Sequence, residues 1–222
     1  MHTTGTESIR RVGIGLSMIL AWPLFDLGFA VHPTQSTSGS EQLRVIVADP
    51  GRWDLAHLLI LISLVLFIPA VLVLMGLLQR RGAWWGLMGG TFVAIGVVFL
   101  ATWIGAEGFA SSALAGLPAS QHTALAPAEH AIVVPTGALS FVATMSFLFI
   151  AGWLVLAIGL FAARTVPRWM SAAMGVGALL LIGSVLSLQI GAVGAAALAV
   201  GVGGIGLRML KEPHEMRGAI SV

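Results

Sequence analysis

The stretch Asp49-Pro50-Gly51-Arg52-Trp53-Asp54-Leu55-Ala56-His57 opens directly into the apolar run LLILISLVLFIPAVLVLMGLL, from Leu58 to Leu78. Asp49-Pro50 reads as a helix N-cap followed by proline at the first helical position, where the N–H that proline lacks would be unpaired anyway. The run that follows exceeds the ~18 apolar residues needed to cross a bilayer as a helix. It stops at Gln79-Arg80-Arg81. One membrane span is therefore expected from about 53 to 78. Asp54 and His57, at i and i+3, share one face at its start.

The rest of the chain is of the same kind. Of its 222 residues, 58% are hydrophobic and 9% charged, with a mean hydropathy of +0.99. Soluble domains carry about a quarter charged residues, so this composition is that of an integral membrane protein. Runs this long argue for helices, which satisfy their own backbone bonds, rather than a barrel. Five more spans are expected, at about 12–31, 83–106, 136–163, 169–188 and 191–207, with outer loops at 32–52 and 107–130. Pro135-Thr136-Gly137 divides an outer extension beginning at His130 from the fourth span. Trp169 to Leu207 is too long for one crossing and is read as a hairpin turning near Gln189-Ile190-Gly191. The fold class is an all-α, six-transmembrane-helix bundle. In its first outer loop, Glu41 to Ala48 has helical spacing and reads as a short interfacial helix that makes the loop lid-like.

Charge sets the expected orientation. Arg10, Arg11, Arg80, Arg81, Arg164, Arg168, Arg208, Lys211 and Arg217 flank one side of the six spans, and only Arg44 and Arg52 lie on the other. By the positive-inside rule both termini are cytoplasmic. The first run also admits a cleaved signal peptide, with Gly28-Phe29-Ala30 as the cleavage site, but Pro23 and Asp26 interrupt its apolar core. The formal charge of +2 reflects basic residues beside apolar runs. It points to lipid headgroups and a bilayer partner, not to nucleic acid. Gly86, Gly90 and Ala94 form a small-residue stripe. Such Gly/Ala-rich faces allow close helix approach, within the chain or in a homo-oligomer.

There is no cysteine and no tyrosine. Thiolate ligands, disulfides, Cys nucleophiles and phenolic chemistry are thereby excluded, which leaves His and carboxylates as strong ligands. Counting residues from the basic ends places Asp26, His32, Asp54, His57, Glu107, Glu129 and His130 in the outer half of the molecule. The inner half has no comparable group. Asp26, about 9 Å below His32 along the helix, is the only charge deep within a span, and intramembrane carboxylates are candidates for proton or cation binding. Its structural alternative is a protonated carboxyl bonded to backbone that Pro23 frees.

His57, Asp54, Glu107 and His130 are the metal-ligand candidates, a set suited to zinc or another divalent first-row ion. The plainer reading makes Asp54 a helix-start charge and His57 an interfacial residue bonded to it. A haem held by His57 and His130 is a further alternative. Trp53, Trp84, Trp85 and Trp169 read as interfacial belt anchors. The glycines lie inside spans and form no phosphate-binding loop.

His32-Pro33, Glu41-Gln42-Leu43, Asp49-Pro50-Gly51-Arg52-Trp53, Ala56-His57-Leu58 and Pro69-Ala70-Val71, with Ala163-Arg164 and Val166-Pro167-Arg168-Trp169 later on, resemble a loose family of small bacterial six-span membrane proteins. The resemblance implies a bacterial inner membrane and a retained first span, and it brings no activity and no catalytic residue. Two function classes follow. One is a non-enzymatic protein that binds, moves or senses a ligand at an outer polar site containing Asp26, His57 and Glu107. The other is a membrane enzyme using a metal or haem near His57, Glu107 and His130.

Overall fold

The computed structural model describes residues 5–134, 136–183 and 188–211. These are helical, with no strand among them. The helices are α1 (Gly5–Val31), α2 (Gly39–Ala48), α3 (Pro50–Leu78), α4 (Ala83–Gly105), α5 (Ser111–Ala115), α6 (His122–Val133), α7 (Ala138–Ala163), α8 (Arg168–Ile182) and α9 (Leu188–Lys211). A π-helical turn, Ala106–Ala110, joins α4 to α5.

The expected cap of α3 is formed: the Asp49 carboxylate accepts the Arg52 N–H at 3.1 Å, and Pro50 is the first helical residue. This satisfies one of the donors that a helix start leaves open. The short helix expected at 41–48 is α2. Pro23 lies within a continuous α1. The turn of the last hairpin comes earlier than expected. Gln189, Ile190 and Gly191 already belong to α9, and residues 184–187 lie outside the described residues. Pro135 and Arg217 lie outside the described residues.

Five stretches are long and apolar enough to cross a membrane, and α8 is a shorter apolar helix of 15 residues. The helices close a ring: α1 packs on α3, α3 on α4, α4 on α7, α7 on α8, α8 on α9, and α9 back on α1. In lipid the hydrophobic effect does not drive helices together, so their association rests on close fit. Glycine supplies that fit at the crossings. A Cβ at Gly96 in α4 would stand 2.1 Å from the Phe149 backbone N of α7, and one at Gly177 in α8 would stand 2.6 Å from the Gly194 O of α9. Gly86 and Gly90 of the α4 stripe pack on Leu78 and Met75 of α3 in the same chain.

Outside the ring, Leu58, Ile62, Val65, Ile68 and Leu72 run down the exposed face of α3. A continuous apolar stripe of this kind needs lipid, not water, against it. Inside it, Trp22, Phe25, Phe67, Phe149 and Trp153 interlock, with ring centroids 4.7 Å apart for Trp22–Phe67 and 5.4 Å for Phe67–Trp153. Edge-to-face and tilted packing of this sort adds about 0.5–1.5 kcal/mol per pair beyond contact area. Two of the seven tryptophans are therefore central core, while Trp84 and Trp169 are exposed as belt anchors would be.

At one end of the ring α2 lies across α5 and α6, forming a cap. The approach of α2 to α6 depends on Gly39, where a Cβ would be 2.0 Å from Ala126 O. The basic residues at the start of α1, the end of α9 and the α3–α4 and α7–α8 bends gather at the opposite end.

Candidate metal centre

Three elements deliver polar side chains beneath the cap. His32 follows the last residue of α1, His57 lies two turns into α3, and Glu107 projects from the π-helical turn after α4. One ligand atom from each of the three lies within 4.8 Å of the other two. His57 and Glu107 are buried, and His32 is half-buried.

Backbone hydrogen bonds fix both rings. His32 Nδ1 is 2.7 Å from the Pro33 carbonyl, and His57 Nδ1 is 2.9 Å from the Trp53 carbonyl. A carbonyl only accepts, so each Nδ1 carries the proton and donates it. Each Nε2 is then left with its lone pair. This is the arrangement metal-binding histidines use: the second nitrogen is anchored to an acceptor, which sets tautomer and ring angle. His57 Nε2 is buried with no hydrogen-bond partner. An unmet buried polar atom costs about 1–3 kcal/mol, so the bundle retains it against a penalty.

Trp53 walls the site. Its ring centroid is 4.5 Å from His57 and 4.8 Å from His32, and the two imidazoles are 5.0 Å apart. Its indole Nε1 donates to Gly108 O at 3.2 Å. Trp53 is fully buried, which corrects its reading as an interfacial anchor. The opposite wall is Gly108, where a Cβ would be 2.7 Å from His57 Cδ2. Only glycine lets the π-helical turn come this close to the ring. Arg52 Nε donates to Val31 O at 2.6 Å, tying the end of α1 to the start of α3 and so holding His32 beside His57.

Glu107 accepts a hydrogen bond from the Gln35 side-chain amide. Residues 33–40, flexible by composition, are thus pinned in place, further by Ser36 N–H donating to Gln42 Oε1 at 2.7 Å. Burial pushes the His32 imidazole below the ordinary histidine range. The Pro33 hydrogen bond opposes that shift, and the nearby Arg52 charge reinforces it.

Other expected ligands stand apart. Asp54 is exposed and accepts from Ser112 Oγ at 2.7 Å instead of pairing with His57. His130 is exposed, with Nδ1 2.7 Å from Thr37 O. Asp26 is half-buried on α1 and makes no hydrogen bond or ion pair with a described residue. It is absent from the convergent group. The i, i+3 spacing of Asp54 and His57 did not bring them together, because packing turned one outward and the other inward.

No family model, curated protein or solved structure matches this chain. Chemistry must therefore come from the site itself. Two imidazoles and a carboxylate suit a divalent first-row ion. Tetrahedral bonds of about 2.0–2.2 Å place ligand atoms about 3.3–3.6 Å apart, so from within 4.8 Å the three groups need to close by at most about 1.5 Å. A porphyrin does not fit: His57 is enclosed by His32, Trp53 and Gly108, and His130 is bonded elsewhere.

Sequence reasoning missed Gln35, the wall role of Trp53 and the π-helical turn. π-turns inside helices are frequent at functional sites and leave no pattern that a search for helical periodicity would find. Glu107 between Gly105-Ala106 and Gly108 was the available signal.

Proposed function

We propose that this chain is a multi-pass inner-membrane protein that binds a divalent transition-metal ion, of the zinc class, at its outer end through His32, His57 and Glu107. The observation that carries the reading is His57. Its ring is anchored through Nδ1, and its Nε2 is buried and unpartnered in a convergent His₂–carboxylate group.

The role is binding or sensing, not conduction. About ten residues further into the membrane, roughly 15 Å along α3, the axis is filled by Phe67 and the aromatic side chains around it. A path for ions would need polar groups there, and the one carboxylate at comparable depth, Asp26, is outside the triad. In this reading α8 is the sixth span, supported by its place in the closed ring. The basic end is cytoplasmic, supported by the eight cations that flank it among the described residues.

The test is metal analysis of the full chain in lipid nanodiscs, followed by zinc titration with a competing chelator. About one ion per chain is expected, with binding abolished in His57→Ala and strongly weakened in His32→Ala. A wild-type protein that holds no stoichiometric metal and shows no thermal shift with micromolar zinc overturns the proposal.

A further inference from the structure

α6 buries a single residue completely, and that residue is Glu129. A cap helix lying over a bundle ordinarily buries apolar side chains, and a carboxylate is among the costliest groups to place there. Neither oxygen of Glu129 has a hydrogen-bond partner. The hydroxyl of Ser111, on the helix α5 that packs against α6, is also buried and also without a hydrogen-bond partner. Ser111 is four residues after Glu107 on the same helical extension, so the two face one flank. The helix that carries Glu129 packs on both the π-helical turn that carries Glu107 and the short helix that carries Ser111.

Two buried carboxylates on elements that pack together, with one hydrogen bond between them (Gln35 to Glu107), are an incomplete arrangement. A divalent cation completes it. Two neutral imidazoles and two carboxylates around a doubly charged ion sum to zero charge, the least costly state in a low-dielectric interior. They also make a four-coordinate N₂O₂ set, the closed geometry of structural zinc sites.

Building on the triad proposed above, we infer that Glu129 is the fourth ligand, so that the metal ion clamps the cap to the bundle. Glu129 does not lie within 4.8 Å of all three triad ligands. Ion binding therefore draws α6 inward, and α2 travels with it because Gly39 locks the two helices together. Metal occupancy is then read out as the position and rigidity of the cap surface. No bond is made or broken other than coordination.

The experiment uses the full chain in nanodiscs, with Zn²⁺ as the probe and hydrogen exchange of residues 122–133 as the readout. In wild type, zinc is expected to slow exchange across α6 at least tenfold. In Glu129→Gln, which keeps the shape and removes the charge, zinc affinity falls at least tenfold and α6 gains no protection. If wild type binds zinc and protects residues near 32, 57 and 107 while α6 stays unchanged, the clamp is overturned and the triad stands. That measurement needs no variant, so it decides the matter even if Glu129→Gln does not fold. Equal zinc affinity and equal α6 protection in wild type and Glu129→Gln overturn it as well. A wild type that binds no zinc removes both proposals.

Discussion

Gly108→Ala adds one methyl group at the tightest wall of the site. The new Cβ would lie 2.7 Å from His57 Cδ2, 2.8 Å from Cγ and 3.0 Å from Cβ. Ordinary carbon–carbon contact begins at about 3.5 Å, so the ring or the π-helical turn must give way by roughly 0.8 Å. The ring has little room, because His32 and Trp53 stand 5.0 Å and 4.5 Å away by centroid. If the turn moves instead, it carries the carbonyl that accepts the Trp53 indole and the adjacent Glu107. Overpacking of this kind costs about 1–3 kcal/mol in stability. Metal–ligand distances tolerate only about 0.2 Å, so either displacement takes a ligand out of range. Disturbing a ligand's supports in this way lowers metal affinity about 10–100-fold, which is the expected result. The assay is zinc titration against a competing chelator, in parallel with thermal unfolding of the zinc-free protein. Gly105→Ala is the control, since its Cβ meets nothing closer than Phe109 Cδ2 at 3.9 Å. Zinc affinity and melting temperature in Gly108→Ala that match those of the control would refute the reasoning that this wall positions His57.

Three further outcomes follow from the same geometry. Gln35→Ala removes the amide that orients Glu107, and zinc affinity should fall about 10–100-fold with little change in helix content, as measured by titration and circular dichroism. Gly39→Ala sets a methyl group against the Ala126 carbonyl and the His130 N. Amides of α2 and α6 should then exchange about 10–100-fold faster, the equivalent of about 1–3 kcal/mol, while α3 and α4 are unchanged. For His32, folding lowers the pKa below its unfolded value of about 6.5, so the unfolded chain takes up the proton first as pH falls. The contribution is complete above that value and is lost as pH falls from about 6.5 through the folded pKa. The melting temperature of the zinc-free protein should therefore drop more between pH 7.5 and 5.5 in wild type than in His32→Gln, and parallel curves would remove His32 from the account.

Much of the architecture was legible from the sequence because it depends on quantities that accumulate along one chain. Apolar run length sets where helices cross, Asp49-Pro50 sets where α3 begins, and residue counts from the arginines set depth at 1.5 Å per residue. That reasoning put His32, His57 and Glu107 at one level before any contact was known. What it could not supply was the angle of each residue about its helix. α3 and α4 are apolar on every side, and a helix in lipid carries no polar face to mark its outside. Only packing decided that His57 turns inward to the Trp53 carbonyl while Asp54, three residues earlier, turns outward to Ser112. Packing also placed Trp53 in the wall and not the belt, and laid α6, with its buried Glu129, against the π-helical turn that carries Glu107. Depth is written in the order of residues; direction is settled by which helices meet, through glycines such as Gly108 that admit a neighbour where a side chain would stand.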